Sequence, residues 1–329
     1  MKQKKSIFIT GGAGFVGSAL VPYLLERNFK VTVFDLMIYG NCFNENNNDL
    51  TIVKGDIRDI ELVEKTSRNH DIAIHLACIS NDPSFELNSS LGKSINFDCF
   101  FPMIKAFKKN KLKKIIYASS SSVYGIKDKE NVIESDILEP LTDYSFFKAE
   151  CEKILLNETN ESFIGTILRP ATVCGYAPRL RLDVVVNIFT NLAYNKRRIS
   201  VFGGDQLRPN ININDMVRAY ELLINTEDNK IENKIYNVGD ENKSVLELAK
   251  IVKNVIGNDV ELEKIESSDN RSYHISSNKI FEELNFKTKY SIKNAVENLK
   301  ISFESGLIKN SLENKKFFNI KMMQHLNLK

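Results

Sequence analysis

Short runs that are apolar at nearly every position recur through the first half of the chain, near residues 6–10, 30–35, 51–53, 72–77, 114–119 and 163–168. Longer segments with apolar residues at helical spacing separate them. Strands that are hydrophobic throughout, rather than on alternate positions, belong in a sheet covered on both faces. The alternation therefore predicts a parallel, doubly wound α/β sheet. After Pro178 the pattern changes to short helical and loop segments with apparent strands over 198–202 and 234–238, which predicts a smaller second lobe. Residues 41–49, with five asparagines, read as a polar loop. Residues 312–329 mix lysines with Phe317, Phe318, Ile320, Met322 and Met323, which suits docking on the protein's own surface or, alternatively, a membrane-surface or partner helix.

The first apolar run closes on Thr10-Gly11-Gly12-Ala13-Gly14-Phe15-Val16-Gly17. A glycine-rich turn between a strand and a helix cradles a diphosphate. Gly11 allows the tight turn, Gly14 lets backbone N–H groups approach the anion, and Gly17 lets the helix pack on the strand. The second run ends at Asp35, placed to accept both ribose hydroxyls and to repel a 2′-phosphate, which favours NAD over NADP. The expected fold is a Rossmann-type sheet over residues 1–175, rejoined by about 211–240, with an intertwined C-terminal substrate lobe over 176–329.

Composition narrows the function classes. The 329 residues carry 45 basic and 42 acidic side chains for a net charge of +3, without a long single-sign block, which is no nucleic-acid footprint. Five cysteines (Cys42, Cys78, Cys99, Cys151, Cys174) and four histidines form no close-spaced metal pattern, so no metal is expected and a reducing cytoplasm fits. The apolar run after the N-terminal lysines breaks at Gly11, so it is read as the phosphate turn and not as an export signal. No apolar stretch is long enough to span a bilayer, and no membrane partner is expected.

Two further constellations bring chemistry. Tyr144 and Lys148 are four apart and share a helix face, so that the ammonium, with a positively charged nicotinamide, would favour the phenolate of a tyrosine whose ordinary pKa is about 10. Upstream, Ile115-Ile116-Tyr117-Ala118-Ser119-Ser120-Ser121-Ser122-Val123-Tyr124-Gly125 ends an apolar strand in hydroxyls at the carboxyl edge of the sheet, where open α/β sheets bind ligands. A serine there could hold the oxygen being oxidised while the phenol takes its proton.

With these motifs the chain resembles the extended short-chain dehydrogenase/reductases, specifically the NAD-dependent epimerase/dehydratase family acting on nucleotide-diphosphate sugars. Gly55-Asp56-Ile57-Arg58-Asp59, His75-Leu76-Ala77, Asn96, Pro140 and Leu168-Arg169-Pro170-Ala171-Thr172-Val173-Cys174-Gly175 extend the likeness over nearly the whole chain. The resemblance implies Ser120, Tyr144 and Lys148 as catalytic residues. It implies Gly11, Gly14, Phe15, Val16, Gly17, Asp35, Asp56, Ile57, Ala77, Asn96, Tyr144, Lys148 and Pro170 around NAD. Ser80, Asn81, Ser121, Ser122, Thr172, Arg179, Arg181, Asn187, Arg208 and Arg271 would bind a nucleotide-diphosphate sugar, the arginines through bidentate charge-assisted bonds. A homodimer through the Tyr144 helix and its neighbour near 96–110, and a place in polysaccharide biosynthesis, are also implied.

Departures from the family pattern select among reactions. Relatives that remove water across C4–C6 carry an Asp-Glu pair directly after the catalytic hydroxyl, where this chain has Ser121 and Ser122. Dehydration is disfavoured on that ground. Thr172 and Cys174 replace a frequent asparagine and tyrosine, and Cys174 is read as packing. The leading expectation is 4-epimerisation through a transient 4-keto sugar. A C4 dehydrogenase or reductase with net redox change is the alternative, and a non-catalytic NAD-binding protein is a further one.

Overall fold

The computed structural model describes residues 4–127, 129, 131–266, 272 and 274–328. Among these the strands are β1 (Ser6–Thr10), β2 (Lys30–Asp35), β3 (Leu50–Lys54), β4 (Ile72–His75), β5 (Lys114–Ala118), β6 (Ile164–Pro170), β7 (Thr172–Cys174), β8 (Arg198–Phe202), β9 (Leu207–Asn212), β10 (Lys234–Val238), β11 (Glu241–Ser244) and β12 (Glu261–Ile265). The helices are α1 (Phe15–Leu25), α2 (Ile60–Thr66), α3 (Asp82–Glu86), α4 (Ser89–Lys93), α5 (Phe100–Lys109), α6 (Asp143–Glu158) and α7 (Val185–Lys196), then α8 (Ile213–Asn225), α9 (Asp228–Ile231), α10 (Val245–Ile256), α11 (Asn278–Leu284), α12 (Ile292–Glu304) and α13 (Asn319–Leu326).

Seven strands form one parallel sheet in the order β10-β6-β5-β4-β1-β2-β3. Ile7, Phe8 and Ile9 of β1 are wholly buried, because helices cover both faces. This is the reason the strand reads as an unbroken apolar run. The chain leaves β1 for β2 on one side and reaches β4 on the other, so strand order reverses beside β1 and opens a crevice at the carboxyl ends. β10 joins the sheet beside β6, with Lys234 opposite Thr166 and Val238 opposite Pro170. It is thus the late segment that returns to the first half of the fold.

Some elements differ from expectation. β4 stops at His75 and not at residue 77, because Leu76 and Ala77 leave the sheet to pass under the glycine turn. β6 runs on to Pro170, whose missing N–H costs nothing at a strand end. A second sheet, β11-β9-β7, was not legible, since β9 contains Arg208, Pro209 and Asn210 instead of an apolar run. The final segment folds into α13, with Met322 and Met323 buried against the protein's own surface.

Candidate active site

The crevice encloses a cavity of about 530 Å³ at the carboxyl ends of the central strands. The glycine turn forms one end. Gly11 sits at φ +72°, and a Cβ there would lie 2.5 Å from the Ala77 backbone nitrogen, so glycine is required twice over. Gly17 lies against the Gly12 backbone, where a methyl group has no room. Gly14 is the N-cap of α1, and no side chain caps that helix. Phe15, Val16 and Gly17 of its first turn face the cavity, which makes a site for an anion.

Asp35 ends β2 and accepts N–H bonds from Ala13 (3.0 Å) and Met37 (2.7 Å). Burial pushes its carboxyl upward, while those two bonds and the charge of Arg179 pull against the rise. Ile57 and Ala77 face the cavity. Asp56 is turned to Arg58, with Oδ2 accepting from a guanidinium nitrogen at 2.6 Å, and it does not form the wall. Nor does Asn96. Its amide accepts from the Ile79 N–H (2.8 Å) and donates to the Ile79 carbonyl (2.9 Å), so the π-helical turn at 94–98 that carries it braces the β4–α3 loop from behind.

The side chains expected to be catalytic converge from α6 and the end of β5. Thr142 caps α6 in a capping box with Ser145, and its hydroxyl also donates to Asp82 at 2.6 Å. Tyr144, Lys148 and Glu152 follow at four-residue intervals on one helix face. The Ser120 hydroxyl accepts from the N–H (3.1 Å) and hydroxyl (2.9 Å) of Ser122, and it lines the cavity together with the Tyr144 phenol. Lys148 Nζ donates to the Ala118 carbonyl at 2.6 Å and lies 6.0 Å from the centre of the Tyr144 ring.

The Tyr144 phenol is buried, with the residue 9% exposed. Burial pushes its pKa well above the ordinary value, with Cys78 and Asp82 adding to the rise, and the Arg181 charge and the nearby Ser120 hydroxyl only partly oppose it. The ammonium of Lys148 is drawn to the end of β5, so the expected depression by Lys148 does not dominate.

Beneath this group lies a buried ion pair. Arg169 Nε and Nη2 reach the Glu152 carboxylate at 3.0 and 2.6 Å, and each side chain is 3% exposed. Arg169 also donates to the Tyr124 hydroxyl (2.8 Å), and Glu152 accepts from Ser119. The pair fastens the serine turn to α6.

Ser80, Asn81, Ser121, Ser122, Thr172, Pro170, Arg179, Arg181 and Arg208 line the cavity. Asn187 does not. Fully buried, it bonds the Gly175 N–H and carbonyl and the Arg181 carbonyl, so it shapes the 175–181 segment. Arg271 lies outside the described residues. Cys174 is fully buried, away from the cavity, and burial pushes its thiol up. Sequence reasoning missed Asp82, Tyr39, Asp183, Asn319 and Met323, all of which face the cavity. Asp82 adjoins the noted Ser80 and Asn81, so proximity could have flagged it. Nothing local marks Asn319.

A family model for the NAD dependent epimerase/dehydratase family matches residues 7–239. The chain belongs to that family. The dTDP-D-glucose 4,6-dehydratase of Dictyostelium discoideum is 32% identical over 276 residues, covering 76% of this chain. The chain spans 62% of that relative's length. The UDP-glucose 4-epimerase of Halalkalibacterium halodurans is 27% identical over 324 residues, covering 89% of this chain and 93% of the other. Among solved structures, the UDP-glucose 4-epimerase of Thermotoga maritima with UDP-glucose matches with a TM-score of 0.83 at 25% identity, over 92% of this chain and 100% of that one.

The family's members are NAD-dependent enzymes, and so is this chain. Its residues fit that cofactor. The uncapped first turn of α1 suits a diphosphate, Asp35 suits a ribose, and the Nε of the buried Arg179, which has no partner among the described residues, adds a donor for an anion. No helix among the described residues is long and apolar enough to cross a membrane.

Proposed function

We propose that the protein epimerises C4 of a nucleotide-diphosphate sugar. The observation that carries this reading is the convergence of Ser120, Tyr144 and Lys148 on one cavity, with Ser121 and Ser122 in place of an acid pair after Ser120. NAD, when bound, supplies the hydride acceptor and gives the hydride back. Tyr144 takes the proton of the C4 hydroxyl as the C4 hydrogen leaves, and returns it when the ketone is reduced on its other face. Ser120, which shares the cavity with the phenol, would hold the C4 oxygen beside it. Tyr144 takes that proton as the phenolate and is left as the neutral phenol, the form that burial favours and that donates to the ketone in the second half. Arg181, whose charge acts on the phenol, favours its deprotonation in the first half. Arg208 and Thr172, which also line the cavity, would hold the sugar nucleotide.

One observation supports a second reading. Among the carboxylates lining the cavity, that of Asp82 acts on the Tyr144 phenol. With a dehydratase among the relatives, loss of water is the competing outcome. The reading extends to a homodimer through α5 and α6, which expose Phe101 and Phe146, and to a cytoplasmic place in polysaccharide synthesis.

Incubating the purified protein with UDP-, GDP-, CDP- and dTDP-sugars without added cofactor tests the reading. The C4 epimer without lasting NADH absorbance supports it. A lasting NADH signal with a released keto sugar would assign a dehydrogenase, and a 4-keto-6-deoxy sugar a dehydratase.

A further inference from the structure

The sequence reading put Arg179 with the substrate and left the C-terminal segment without a role. Their geometry joins the two. The Arg179 backbone N–H bonds to Ser18 at 3.0 Å, which anchors this residue to the first turns of α1 beside the diphosphate turn. Its charge acts on Asp35, at the cofactor end, whereas the charge acting on Tyr144 is that of Arg181. Arg179 is 7% exposed, its guanidinium carbon sits over Tyr39 at 3.5 Å from the ring centre, and its Nε has no partner among the described residues. A buried guanidinium with an open N–H beside an uncapped helix start is built for an anion.

Asn319, the first residue of α13, holds that guanidinium in place. Its Oδ1 accepts from Arg179 Nη2 at 2.6 Å and from the Tyr39 hydroxyl at 3.0 Å. Its Nδ2 donates to Ser80 Oγ at 3.0 Å, and its own N–H donates to Asp183 at 2.7 Å. One amide thus ties α13 to three other parts of the cavity rim, and Met323 and Leu328 behind it also face the cavity.

We infer that Arg179 binds the diphosphate of NAD and that Asn319 is its positioning residue, so that the C-terminal helix acts as a strap over the cofactor. The amide fixes the direction of Nε and removes the freedom that the guanidinium would otherwise lose on binding. The sugar substrate does not meet this pair.

Titration of the cofactor-stripped, full-length protein with NAD and with adenosine, which has no phosphate, tests this directly. Asn319→Ala should weaken NAD about tenfold, as expected for one misdirected charge-assisted bond, and leave adenosine within twofold. Arg179→Ala should weaken NAD at least as much. The double variant should be no weaker than Arg179→Ala alone, because Asn319 acts only through Arg179. Asn319→Ser, which keeps a polar group at the helix start, is read the same way if alanine unfolds the tail. NAD binding within twofold of the parent in Asn319→Ala, an equal loss for adenosine, or losses that multiply in the double variant would overturn the inference. So would a loss of sugar-nucleotide affinity at saturating NAD in Arg179→Ala, since that would return Arg179 to the substrate.

Discussion

Replacing Arg169 by leucine should be among the most destabilising changes near the active site, and the structure says by how much. Arg169 and Glu152 are each 3% exposed, so solvent does not screen the pair and no correction for exposure is needed. Leucine leaves the Glu152 carboxylate buried with only the Ser119 hydroxyl as a partner. Stranding one charge of a buried pair costs about 3–5 kcal/mol. The Glu134 carbonyl also loses its donor at 3.1 Å, which adds about 1 kcal/mol, whereas Tyr124 keeps its own bond to Asn237 at 2.7 Å. The expected loss is therefore about 4–6 kcal/mol. In Arg169→Leu/Glu152→Leu no charge is stranded, and stability should return to within about 1–2 kcal/mol of the parent. Turnover should not return, because the serine turn is no longer fastened to the helix that carries Tyr144. Urea unfolding of the three proteins at one fixed NAD concentration provides the comparison, since bound cofactor shifts apparent stability by mass action. A single variant within about 1 kcal/mol of the parent, or a double variant no more stable than the single, would refute the reasoning.

Tyr144→Phe keeps the buried ring and removes the acid/base, so turnover should fall by about 10²–10⁴-fold while NAD binding persists; full turnover would end the proposed mechanism. Gly11→Ala forces a methyl against the Ala77 backbone in a left-handed turn, costing about 1–2 kcal/mol from the backbone conformation alone; calorimetric NAD binding equal to the parent's would contradict the site. His75 is 2% exposed and held neutral by burial, with its pKa depressed to about 3. The unfolded chain takes up that proton at about pH 6.5, so stability is lost as pH falls from there toward 3, by about 2 kcal/mol at pH 5. His75→Gln should flatten this part of the stability profile, and an unchanged slope would show that another group titrates.

Much of the site was written in local sequence. Gly11 and Gly17 are legible because the backbone crowding they relieve comes from a strand-turn-helix only a few residues long, and Tyr144 with Lys148 because helix geometry alone puts them on one face. The buried strands are legible because two covered faces demand continuous apolar runs, as in β1. Where burial is one-sided or pairing is set by distant chain, the signal fades: β9 is polar and is a strand only because β7 and β11 flank it. Asn96 and Asn187 were identified as site residues, but their amides turned out to serve the Ile79 and Gly175 backbones, a distinction that depends on where loops from elsewhere come to rest. The direction of the Tyr144 pKa shift was likewise decided by burial, which no spacing encodes.

The sequence by itself determined the parallel sheet, the glycine turn and the placing of phenol and ammonium on one helix face, since each follows from interactions within a few residues or from the need to bury an apolar run. Only the tertiary structure decided that Arg169 and Glu152 fasten the serine turn to α6, and that Asn319 reaches Arg179 across 140 positions of chain. Such contacts depend on where packing leaves polar groups facing one another, and the local pattern of hydrophobic and polar residues carries no record of that.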